Sequence, residues 1–290
     1  MSTATATPAT TRIGQVKARR KGLSAGKALR IACCYMIALL LASPLILMML
    51  NAFKTEADAF TVPPKLIFTP TLDTRSVVHT GYVPALINSV IDVGMSTLLA
   101  IALGIPAAFG LAFYKYRGNQ NIIFWMLSTT FMPSVGVILP IYVTFNRLQL
   151  LDTQTALIIM YTAMNLPLVV LILRSYYLDV PREIIEAALV DGAGTWRLFR
   201  SVVGPIARPG IATSALLAII FAWNEFFFAI MLTGSRAGTI PVFIASSQTS
   251  QGLGLASVSA ASLLAVAPLV ILGWLAQRHL AEGFTLGAVK

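Results

Sequence analysis

Six apolar runs, each long enough to cross a bilayer, alternate with polar stretches along this chain. Residues 31–50, IACCYMIALLLASPLILMML, contain no charge; at about 1.5 Å of helical rise per residue such a run matches the roughly 30 Å hydrocarbon layer. Further runs predict helices at about 85–113, 121–145, 154–173, 211–232 and 255–276. Pro106, Pro133, Pro140 and Pro167 fall inside them and predict distortions that neighbouring helices accommodate. Between the runs lie a long hydrophilic loop at 51–84, a short basic connection at 114–120, a loop at 146–153 and a Gly/Ser/Thr-rich stretch at 233–254. The remaining interruption, 174–210, is polar but internally ordered. The pattern predicts an all-α membrane protein with six spans in a domain at 31–276, a cationic tail at 1–30 too polar to build a core, and a short tail at 277–290. The first run competes with a cleaved signal peptide, but it is long and lacks a small-x-small site at its end, so an uncleaved helix is expected.

Composition agrees: 57% apolar residues, 11% charged and a mean hydropathy of +0.80 over 290 residues lie outside the soluble range. The net charge of +10 raises nucleic acid as a partner. The cations flank apolar runs instead of forming a basic patch, which argues against it. They set orientation instead: with the N-terminus inside, sixteen of the 21 Lys and Arg residues fall on the inner side and five outside, with 174–210 inside. Cys33 and Cys34 are adjacent in an apolar run and read as small hydrophobes; His79 and His279 are isolated from other ligand types. No metal site, cofactor or catalytic constellation is expected, and no G-x-x-x-x-G-K-[ST] phosphate loop is present, so the chain cannot supply an ATP site.

Within 174–210, Pro181 is placed to open a helix and Glu183 suits its positive end. Ile184, Ile185, Ala188 and Leu189 give that helix an apolar side, and Glu183 and Glu186 a polar one. Gly192 and Gly194 are expected to make a turn that side chains would resist. A second helix is expected from Thr195 as N-cap, carrying Trp196, Phe199 and Val203 at i, i+3, i+7.

The series Glu186-Ala187-Ala188, then Gly192 and Pro205, resembles the EAA loop of permease subunits of ATP-binding-cassette importers. The resemblance implies that Glu186, Ala187, Ala188, Asp191, Gly192, Ala193 and Pro205 dock onto a separate cytoplasmic ATPase. Gly204 stands where the family usually has Leu, a departure expected to loosen the end of the second helix. An amphipathic helix resting on lipid without a partner is the alternative reading of the residues alone. Trp223-Asn224-Glu225-Phe226 is similar to the fifth-helix signature of the carbohydrate-type importers, and the ending Gly283–Lys290 to that of the maltose system's smaller permease and of sorbitol and mannitol permeases. The resemblance further implies an inner-membrane permease of a bacterial plasma membrane, partnered by a second permease, two ATPase subunits and an extracytoplasmic solute-binding protein, moving a sugar or polyol.

Asp92 and Glu225 are the formal charges inside the predicted spans, where a charge costs about 2.5–3.5 kcal/mol even on lenient scales. Asn224 and Glu225 either line the translocation path or bond one helix to another. Asp92, near the predicted outer end, is expected at the interface or paired with an external cation. A proton-coupled carrier using Asp92 and Glu225 is the alternative function; such carriers typically carry internal repeats, and none is visible here.

Overall fold

The computed structural model describes residues 25–71, 81–114, 117–247 and 254–288, with backbone alone over 276–288. Most of the basic tail, with Asp73, His79 and Lys115, lies outside the described residues, as do the last two residues and the His279 side chain. All regular structure among the described residues is helical.

Met1–Leu47 and Met48–Lys290 are separate compact units. In the first, the described residues belong to α1 (Ala25–Ala52), whose spanning stretch contains no fully buried residue. In the second, which opens with the short α2 (Glu56–Ala59), α3 (Val83–Phe113) and α6 (Gln154–Leu178) form the central pair. A Cβ on Gly104 would stand 2.6 Å from Val169 Cγ1, so the missing side chain lets the two backbones approach closely. Against this pair packs α9 (Arg208–Trp223), which also holds α12 (Leu255–Ala288). Pro106 and Pro167 sit inside unbroken helices.

Two predicted spans are broken. The third consists of α4 (Asn119–Thr130) and α5 (Ser134–Arg147), bent by 92°. Pro133 is the residue immediately before α5; with no N–H and a bias of its predecessor toward extended backbone, it ends one helix and starts another. The fifth is split into α9 and α10 (Phe227–Leu232) at Asn224–Phe226. The fourth runs on to Leu178, enclosing Arg174, whose Nε donates to the Leu111 carbonyl at 3.3 Å. Before the sixth comes the short α11 (Ile240–Ser247). The sixth continues in backbone to Ala288, so what reads as a separate tail is an extension of α12.

Three apolar cores line the long helices. One, at the C-terminal ends of α3 and α6, gathers Phe109, Leu173, Tyr177, Leu198 and Val203; another, near their opposite ends, gathers Phe145, Leu157, Tyr161, Trp223 and Phe228; a third gathers Tyr82 and Ala85 with Ile240 and Ala261.

Candidate functional site

The interruption at 174–210 folds as a helix, a turn and a second helix. After Pro181, α7 (Arg182–Val190) carries Glu183 in its first turn. Its predicted apolar side divides: Ile185 and Ala188 pack on the core at the C-terminal ends of α3 and α6, whereas Ile184 and Leu189 are exposed, as is the neighbouring Val190, by 88%. The helix ends in a left-handed residue, Gly192, at φ +77°. The Gly192 N–H bonds to the Leu189 carbonyl at 3.0 Å and the Ala193 N–H to the Ala188 carbonyl at 2.9 Å. These are the two bonds of a Schellman termination, and Ala193 after the turn is buried. Ala188 and Gly192 therefore stand four apart for a local reason: one accepts the closing bond and the other supplies the positive φ. A Cβ on Gly192 would meet no atom within 4 Å, so its requirement is conformational and not steric. Asp191 is the C-cap, and its N–H bonds to the Ala187 carbonyl at 2.9 Å. Glu186 is exposed.

Gly194 has φ −69°, which any residue adopts, so the turn needs one glycine and not the two expected. Gly194 is also the N-cap; Thr195 is the first helical residue and uses its hydroxyl to meet the Tyr114 hydroxyl at 3.0 Å. From Thr195 the helix α8 runs to Ile206, widened to π geometry over Leu198–Val203. The expectation that Gly204 loosens this helix is corrected. Its N–H bonds to the Phe199 carbonyl across the π turn, and a Cβ there would come 2.9 Å from that oxygen, so glycine keeps the helix continuous. Pro205 lies in the α-helical turn that follows. Leu198 and Val203 are buried and Phe199 is partly buried, while Trp196 is 68% exposed. The loop thus presents Ile184, Leu189, Val190 and Trp196 outward and keeps Ile185, Ala188, Leu198 and Val203 inward.

The polar residues of the spans are placed elsewhere than expected. Among the described residues Glu225 makes no helix-to-helix bond: its carboxylate accepts the Phe228 N–H at 3.1 Å and the Ala229 N–H at 3.2 Å, closing the N-terminus of α10. Asn224 donates to the Ile220 carbonyl of its own helix at 2.7 Å. A cavity of about 650 Å³ at the α4–α5 bend is bounded by Phe221 and Phe228, with Trp125, Met160 and Asn165; Asn224 and Glu225 are not part of its wall. Asp92 reaches neither interface nor external cation, because it sits fully buried on α3 with no hydrogen-bond partner for either oxygen among the described residues.

Sequence reasoning missed a polar clasp at the opposite end of α6, where Asp152 precedes the helix. Its carboxylate accepts N–H groups of Gly234 at 2.8 Å, Ala237 at 3.0 Å and Arg236 at 3.2 Å, and its own N–H bonds to the Leu232 carbonyl at 2.9 Å. Partial burial pushes this carboxyl up, but the three N–H groups outweigh it and hold it below the usual carboxylate range. Asn88 on α3 donates to the carbonyls of Arg236 and Gly238, both at 3.0 Å, and accepts from Gln154 at 2.9 Å. At the same end Glu56, in the segment after α1, accepts the Ala256 N–H at 3.0 Å and the Ser257 N–H at 2.9 Å, closing the first turn of α12. Asp and Glu spaced far from their partners leave no local signature, which is why these contacts could not be found from spacing.

The comparisons with known proteins bear on this arrangement. Residues 80–285 match the sequence profile of the binding-protein-dependent transport system inner membrane component. The chain belongs to this family. A probable ABC transporter permease of Sinorhizobium fredii is 34% identical over 84% of this chain and 88% of its own. The trehalose transport permease SugB of Mycobacterium tuberculosis is 36% identical over 71% and 76% respectively. Among solved structures, a bacterial ABC transporter involved in import of the acidic polysaccharide alginate superposes with a TM-score of 0.73 at 19% identity, over 94% of this chain and 99% of that one. As a member of this family the chain is a multi-pass inner-membrane permease subunit of an ABC importer, whose ATP hydrolysis takes place on separate subunits. Membership displaces the proton-coupled carrier as the reading of Asp92 and Glu225.

Proposed function

We propose that this permease moves a sugar or sugar alcohol across the plasma membrane by alternating access, paired with a second permease and driven by two ATPase subunits that dock on the loop at 174–210. A solute-binding protein delivers the substrate at the opposite face. The observation that carries the docking assignment is the outward apolar rim of Ile184, Leu189, Val190 and Trp196 around a fixed Schellman turn. Exposed apolar side chains held in register by a rigid turn are a surface for a protein partner. Glu186, Ala187, Ala188, Asp191, Gly192 and Ala193 belong to the helix and turn that carry that rim, Pro205 to the last turn of α8, and the charge distribution supports a cytoplasmic position for the loop. The sugar assignment is supported by relatives named for trehalose, for trehalose and maltose, and for diacetylchitobiose, together with Trp223–Phe226 and the C-terminal residues of the chain.

Two experiments test the proposal. In right-side-out vesicles holding the full complex, uptake of a panel of radiolabelled sugars and polyols stops when internal ATP is removed and persists under a protonophore while ATP is maintained. Gradient-dependent uptake without ATP would overturn it. A reporter active only outside is silent when fused after Lys290 and active near Thr74; the reverse pattern would put the loop on the wrong side.

A further inference from the structure

We infer that Phe109, on α3, is a positioning residue that passes the displacement of the coupling loop to the central helix pair. The inference rests on the docking role proposed above for 174–210.

The Phe109 ring is 6% exposed and lies at the junction of three elements. Its centroid is 5.1 Å from Phe199 of α8 at an interplanar angle of 71°, and 6.0 Å from Tyr177 of α6 at 87°. Phe113, one turn along α3, is 4.9 Å from Phe109 and 6.1 Å from Tyr177. Toward the surface of the loop, Trp196 of the exposed rim lies 5.6 Å from Phe199, tilted by 37°. A continuous row of rings therefore runs from the surface of the loop into the pair α3–α6: Trp196, Phe199, Phe109, Tyr177. Edge-to-face ring pairs hold both a distance and an angle, unlike contacts between aliphatic side chains. Interiors packed at crystal-like density transmit a shift and do not absorb it.

The backbone around Phe199 is suited to this role. Phe199 lies in the first part of the π turn, its carbonyl takes the Gly204 N–H, and the turn is followed by a 72° bend into α9. A push on α8 can thus reach the membrane helices by two routes, along the backbone into α9 and through Phe199 into Phe109. Beside the rings on the second route, the Tyr114 hydroxyl donates to the Thr195 hydroxyl at 3.0 Å, and Leu198 and Val203 of α8 are buried in the same core as Phe109 and Tyr177. Among these side chains the rings are the ones that hold an angle as well as a distance between α8 and the central pair.

The test uses the full complex in proteoliposomes and measures substrate transported per ATP hydrolysed. Phe109→Ala assembles with the ATPase in normal amount and lowers that ratio by about 2- to 12-fold, the range set by an aromatic pair. Phe109→Tyr restores most of it. Phe199→Ala gives a similar loss, and the double variant is no worse than either single one, because both remove the same connection. Phe145→Ala removes a buried ring from the core near the opposite ends of α3 and α6 and lowers thermal stability comparably, yet leaves the ratio unchanged. An unchanged ratio in Phe109→Ala, or an equal fall in Phe145→Ala, overturns the inference. Failure of the docking role looks different: Gly192→Val would then retain full coupling, whereas failure of the Phe109 inference alone leaves Gly192→Val uncoupled.

Discussion

The two ends of the central helix pair are built on opposite principles. At the α6 C-terminus the loop is held by ring packing and one left-handed turn, and its outward face is apolar and exposed. At the α6 N-terminus, Asp152, Asn88 and Gln154 tie three segments together through hydrogen bonds that leave their acceptors satisfied. The difference separates what the chain completes alone from what it offers to a partner. A satisfied polar network gives a fixed geometry, because breaking one bond leaves donors unmet; a packed apolar loop can shift as a body and return. The clasp is suited to hold the outer ends of the helices together, and the loop to be moved.

Substitutions can break that contrast. The largest effect is expected from Asp152→Ala, which strips the acceptor from three N–H groups at once. Unfolding in detergent should become easier by about 2–3 kcal/mol, with ATPase recruitment intact. Recruitment lost along with stability would mean that the two ends are not separable. Next is Gly192→Val. A residue with a Cβ at φ +77° incurs roughly 1–2 kcal/mol of backbone strain, concentrated in the turn. The helices still insert and the melting temperature moves little, but co-purification of the ATPase falls sharply. Glu225→Gln keeps an oxygen for the α10 N-terminus and loses the charge, worth about 0.3–1 kcal/mol. Transport should drop modestly while the ATPase stays bound, as read by pull-down and uptake on the same preparation.

The smallest effect concerns pH. The Asp152 carboxyl titrates below its unfolded value, so its contribution to stability is present above the ordinary carboxylate range of about 4 and is lost as pH falls through the lower folded value. Melting of the clasp, followed by hydrogen exchange at Gly234 and Ala237, should be flat from neutral pH down to about 4 and rise below it. A rise already near neutrality would show that the backbone donors do not hold the carboxylate.

The helical fold and the helix, turn and helix of 174–210 were legible because both are local signals. Apolar runs give helices at about 1.5 Å per residue, and the interval from Ala188 to Gly192 is the length of one Schellman closure. Proline positions told of distortion without its size: Pro133 gives a 92° break, while Pro106 and Pro167 lie in continuous helices, since the outcome depends on neighbours that recover the lost hydrogen bond. Glu225 read as a path or packing residue because its capping role exists only once the fifth span breaks. Asp152, Asn88 and Glu56 were invisible as a set, their partners lying between 66 and 201 positions away in sequence. Asp92, fully buried without a bond among the described residues, follows from no spacing rule at all.

Site-directed cross-linking addresses the contrast between the two ends most directly. With Cys33 and Cys34 replaced by Ala, a single cysteine is placed at Val190, 88% exposed on the loop rim, or at Val62, 95% exposed in the hydrophilic loop that follows the first span. A short bifunctional reagent is then applied to the assembled complex in membranes. Val190→Cys should join to the ATPase with a yield that changes between nucleotide-free and ATP-bound states, and Val62→Cys should not join to it in any state. Absence of the Val190 product with the complex intact, or capture of the ATPase at Val62, would contradict the division of labour between a fixed outer clasp and a movable inner loop.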